Sequence, residues 1–145
     1  MSRIHPLEPW FFLLFGAFHL HRVWALADRA GYAAFWMGLL EQKGPLYFLL
    51  MGALALLCLW GAALFFRERR QPRWWRWAYV LGGGYVLFDL AAIAAGWPPW
   101  RRLLQAMFDI RAPGWVPLWS AFVLLGGGSF ALGLWLIRRR RKESP

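Results

Sequence analysis

Apolar positions gather into four long runs, roughly Pro9–Ala27, Leu46–Phe66, Trp77–Gly96 and Pro117–Ile137. Each is close to the ~20 residues that a helix needs to cross the hydrocarbon of a bilayer. The pattern predicts an all-α integral membrane protein. Four transmembrane helices form a bundle, and residues 1–145 make one membrane domain. The connections between the first and second spans (Gly31–Gly44) and between the third and fourth (Gly96–Gly114) are too short to cross and too apolar for free aqueous loops. In the second, Leu103, Leu104, Met107, Phe108 and Ile110 share one side of a helix, while Arg101, Arg102, Gln105 and Asp109 lie elsewhere on it. Short interfacial helices along the outer leaflet fit both connections. Trp36, Trp97, Trp100, Trp115 and Trp119 are then expected near the headgroups, as an anchoring belt or as a lid over a ligand cavity.

Composition supports this class. Of the 145 residues, 60% are hydrophobic and twelve are Trp, more apolar surface than a soluble domain of this size can hide. His19, His21 and Arg22 interrupt the first run and no small-residue cleavage site follows it, which argues against a cleaved signal peptide.

The net charge of +10 changes the picture through its distribution. Basic residues cluster at Arg67, Arg69, Arg70, Arg73 and Arg76, and again at Arg138–Arg141 with Lys142, each time just beyond a span. With Arg3, eleven basic residues fall on one side; Arg29, Lys43, Arg101, Arg102 and Arg111 put five on the other. The positive-inside rule makes both termini and the middle loop cytoplasmic, consistent with a multi-pass protein of a cell inner membrane. Arg67, Arg69, Arg70, Arg73, Arg138 and Arg139 are also candidates for anionic lipid headgroups, at about 1 kcal/mol per residue near the surface. This distribution does not suit nucleic acid.

Several chemistries find no residues. Cys58 is the one cysteine, so there is no internal disulfide, redox pair or thiolate zinc site. The chain has no GxSxG, no phosphate-binding glycine loop with its Lys, and no HExxH. No catalytic residue, metal site or cofactor is expected. Gly82–Gly84 and Gly126–Gly128 lie inside apolar helices, where close helix packing explains them; Gly52, Gly61 and Gly133 extend these small faces. The two halves also share an order of span, aromatic connector, Pro-marked span and arginine cluster, the pattern of a parallel repeat.

Arg22 and Asp89 stand out because ionisable groups inside spans are expensive and usually functional. At ~1.5 Å per residue, Arg22 lies about 6 Å and Asp89 about 4 Å outward of the centres of their spans, which run in the same direction. A charge pair is an economical arrangement at that depth. His19 shares a face with Arg22 and Tyr85 one with Asp89, so a polar cluster of His19, Arg22, Tyr85 and Asp89 is expected between spans one and three. It would serve as a structural clamp, as the polar end of a lipid or small-molecule pocket, or as a proton or ion path. Haem ligation would need an axial ligand from elsewhere, because His19 and His21 cannot both serve one haem from one regular helix.

The four-span plan with Asp28 near the end of span one distantly resembles the EXPERA group of sterol-binding and isomerase proteins. The resemblance covers topology and Asp28 only. Leu46–Phe66 holds no carboxylate where that group has an acidic residue, so no site is carried over. Many aromatics, small faces and no catalytic constellation point to an accessory or interaction subunit of a larger membrane assembly, with other membrane subunits or further copies as partners. The alternative is a stand-alone lipid or hydrophobic small-molecule binding protein, a transporter or isomerase-like enzyme, using the polar cluster.

Overall fold

The structure, a computed structural model, describes residues 4–67 and 73–143, apart from the side chain of 143. Among them the chain is all-helical, with no strand. Its α-helices are α1 (Glu8–Leu20), α2 (Val23–Ala27), α3 (Arg29–Gln42), α4 (Pro45–Arg67), α5 (Trp77–Ala94), α6 (Pro98–Met107) and α7 (Trp115–Glu143), and a 3-10 turn, Trp74–Arg76, leads into α5. Four stretches are long and apolar enough to cross a membrane: Glu8–Ala27, Pro45–Arg67, Trp74–Ala94 and Trp115–Lys142. Arg69 and Arg70 of the first basic cluster lie outside the described residues.

Two boundaries differ from the expected ones for physical reasons. The first run is not one helix, because it breaks between Leu20 and Val23. There the ladder tightens to three-residue spacing: the amides of Arg22, Trp24 and Ala25 donate to the carbonyls of His19, His21 and Arg22 at 3.2, 3.0 and 3.0 Å. His19 Nδ1–H donates to Phe15 O at 2.9 Å, and His21 Nδ1–H to Phe18 O, so ring and backbone compete for the same carbonyls. The last helix runs beyond Ile137 through Arg138–Arg141. Arginine is a good helix former, and cations are favoured at a helix C-terminus.

Both connections are largely helical. Asp28 caps α3, its Oδ1 accepting from Gly31 N at 2.9 Å. At the other end Lys43 takes a left-handed conformation, φ +46°, and its amide donates to Leu39 O. Pro98 and Pro99 open α6, where their missing N–H groups are not needed. Helix α6 ends at Met107, leaving Phe108 and Ile110 just past it.

The chain forms two compact units, Met1–Ala27 with Val116–Pro145, and Asp28–Trp115. In the first, α1 and α7 run antiparallel along a tight seam. Trp119, Phe122, Gly126, Ser129, Gly133, Leu136 and Arg140 recur at alternating spacings of three and four, which keeps them on one face of α7. A Cβ on Gly16 would stand 2.6 Å from Phe130 N and 2.8 Å from Gly126 O, so only glycine allows this backbone approach. Ser129 Oγ donates to Phe12 O at 3.1 Å, and Arg140 Nη1 to Pro6 O at 3.4 Å. In the second unit, α4 and α5 form an antiparallel pair in which Gly83 faces Cys58 and Trp77 faces Phe65. Tyr32 of α3 lies against Phe108 beyond α6, with ring centroids 6.0 Å apart. Small residues at such seams let the backbones approach closely and gain dispersion contacts.

Candidate functional site

The four residues expected to form one polar cluster are divided between the units, His19 and Arg22 in the first, Tyr85 and Asp89 in the second. Arg22 follows the break in the first span. Its guanidinium carbon lies 4.7 Å from the centre of the Phe122 ring and 5.3 Å from that of Phe18. Facing two aromatic rings, the cation meets their negative π-faces, an attraction that grows as water is excluded. His19 is buried, tilted over Phe15 at 4.3 Å, with Phe122 at 6.4 Å. Within this unit the structure therefore joins His19 and Arg22 through Phe122.

In the second unit Asp89 accepts a hydrogen bond of 2.7 Å from Trp100 Nε1. This bond ties α5 to α6 across eleven residues of chain. The Phe88 ring stands perpendicular to both indoles, 6.1 Å from Trp97 and 5.2 Å from Trp100, and the indoles lie nearly parallel 6.4 Å apart. Tyr85, one turn before Asp89, is 45% exposed. The Arg22–Asp89 pair stays an expectation of the depth argument.

A groove of about 350 Å³ opens beside this aromatic group, between α3, the end of α5 and α6. Its apolar lining includes Leu40, Ile93 and Leu104; Glu41, Lys43 and Arg101 supply charge. Gly96, at φ +64°, lets the chain turn sharply there. Its amide donates to Ile93 O and that of Trp97 to Ala92 O, closing the last turn of α5. Arg101 Nη2 lies 3.6 Å from where a Cβ on Gly96 would stand, so the guanidinium covers that turn.

Other positions correct or extend the sequence analysis. Trp36, Trp115 and Trp119 are buried, so of the expected tryptophan belt only Trp97 and Trp100 are accessible. Trp115 and Trp119 lie one turn apart at the start of α7, and that spacing puts both on the enclosed side of the helix. Arg76, grouped with the cytoplasmic cluster above, is only 3% exposed; Glu8, not singled out, is 1% exposed. The one signal for Glu8 was a lone acid in the first turn of an apolar helix, where the helix dipole favours it. Arg73 and Arg139 lie over the indoles of Trp75 and Trp135, at 5.3 and 5.1 Å.

Among the described residues no three His, Cys, Asp or Glu side chains converge in a way that could hold a metal ion. The chain matches no protein-family model, no curated protein and no solved structure.

Proposed function

We propose that this chain is a small multi-pass protein of a cell inner membrane, acting as an accessory or interaction subunit of a larger membrane assembly. Its termini and the Arg67–Arg76 segment face the cytoplasm in this proposal, and α3 and α6 lie along the outer surface. The observation that carries the interaction role is the environment of the glycines. Apart from chain neighbours and the backbone of the same helix, no atom of the glycine's own unit lies within 4 Å of the place a Cβ would take at Gly52, Gly84, Gly127 or Gly128. A glycine inside a helix costs about 0.5–1 kcal/mol relative to alanine. Gly16 and Gly126 recover that through close packing inside the chain; these four do not. In a bilayer such positions admit the backbone of another helix, and a further subunit supplies one.

Purification in mild detergent tests this proposal. The wild-type protein should carry stoichiometric membrane-protein partners or further copies of itself. Gly84→Leu and Gly128→Leu should lose them without a fall in melting temperature. A wild-type protein that elutes as a single chain without partners rejects the proposal. Orientation is tested in a Cys58→Ala background: an impermeant thiol reagent outside the cell should label Gln105→Cys and not Gln71→Cys. The stand-alone binding alternative is favoured by one feature, the groove beside α6.

A further inference from the structure

We propose that the groove between α3 and α6 holds the headgroup of a zwitterionic phospholipid, with Lys43 and Arg101 at the phosphate and Glu41 at the ammonium. This inference concerns a site distinct from the open glycines and is independent of any protein partner.

Position is the first argument. Helices α4 and α5 are antiparallel, so Pro45 and Ala94 share the end of the pair remote from Arg67 and Trp74. The 23 residues of α4 extend roughly 34 Å at 1.5 Å per residue, about one hydrocarbon thickness. A groove at that end lies at headgroup depth, where indoles such as Trp97 and Trp100 are favoured.

Chemistry is the second. A flat aqueous surface would not need Leu40, Ile93 and Leu104 in one groove with charged residues, whereas an amphiphile needs both. The guanidinium offers several donors in a planar fork that fits phosphate oxygens, and Lys43 adds a point charge. Glu41 would repel a purely anionic group and is complementary to an ethanolamine ammonium beside the phosphate. About 350 Å³ accommodates a headgroup and the first methylenes, leaving the tails along the apolar helices.

The backbone at Lys43 is the third. With φ at +46° it occupies the left-handed position that ends α3, where glycine is the unstrained choice. Gly44 is the very next residue, so the chain places lysine at the strained position and glycine one step late. Strain retained at a residue lining a cavity marks a side chain kept for its contacts.

The test uses the full chain in detergent, titrated with phosphatidylethanolamine, phosphatidylglycerol, diacylglycerol and glycerophosphoethanolamine, with bound lipid counted by native mass spectrometry. Phosphatidylethanolamine should bind at least 10-fold more tightly than diacylglycerol and several-fold more tightly than phosphatidylglycerol. The double variant Lys43→Gln with Arg101→Gln should weaken it at least 10-fold. The equally basic but off-groove pair Arg102→Gln with Arg111→Gln should change it less than 2-fold. Glu41→Gln should erase the preference over phosphatidylglycerol. Lys43→Gly should weaken binding while raising the melting temperature by about 2–4 °C as strain is released, so poor folding of the double variant does not shield the proposal. Equal losses from the groove and off-groove pairs would reduce the effect to general surface charge and overturn it. Displacement of the lipid by glycerophosphoethanolamine at matched concentration would assign the groove to a free phosphate ester, which also overturns it.

Discussion

On α7, a Cβ at Gly126 would stand 2.8 Å from His19 Cβ and 2.9 Å from Leu20 N; on α5, a Cβ at Gly83 would stand 3.6 Å from its nearest neighbours on Cys58. Both glycines belong to Gly-Gly-Gly triplets in apolar helices, and both face an antiparallel neighbour. The first seam is closed to the limit of backbone contact. The second sits at ordinary van der Waals distance, with room for a methyl group. Identical small-residue motifs therefore mark two kinds of packing. In the α1–α7 seam glycine is a steric requirement, and in the α4–α5 pair it is a tolerated choice.

Substitutions should separate the two most clearly. Gly16→Ala or Gly126→Ala forces backbone apart, so each is expected to destabilise by about 3 kcal/mol, the upper range for overpacking. Thermal unfolding in detergent would measure it, and a loss below 1 kcal/mol would mean that the seam can open freely. Trp100→Phe keeps the ring but removes the donor to Asp89. A loss of about 0.5–1.5 kcal/mol is expected for one hydrogen bond, with increased hydrogen exchange in α6. Asp28→Ala removes the cap of α3 and should cost about 1 kcal/mol, read as earlier fraying of Arg29–Tyr32 by hydrogen exchange. Gly83→Ala should be neutral or stabilise by up to about 1 kcal/mol through helix propensity. Marked destabilisation there would erase the distinction between the seams.

The sequence made the four long apolar stretches legible because each is a run of the length that could cross a membrane. It also made the helical connectors legible, since the apolar residues of Pro98–Met107 recur at helical spacing. Other features depended on contacts at long range. The three-four rhythm from Trp119 to Arg140 can be read in the sequence, but Gly16 as its counterpart cannot, because one glycine in an apolar run has no periodicity of its own. Asp89 drew attention as a charge within a span, and its bond to Trp100 depends on the tight turn at Gly96. From the sequence, His19 is expected in a polar cluster serving as a helix clamp, the polar end of a pocket, or a proton or ion path. The Nδ1 atoms of His19 and His21 bond to the carbonyls of their own helix, where they help to break the first span.

The α1–α7 seam also has a consequence for synthesis. Gly16 and Gly126 meet across 110 positions of chain, so α1 must wait for α7 before its tightest contact can form. At a ribosomal pace of about 5–20 residues per second, that wait is roughly 5–20 s. For that time Gly16 is without Gly126 and Arg22 is without the Phe122 ring, while residues 28–115 can assemble from contacts already made. The packing face of α1 stays uncovered until α7 arrives to close it.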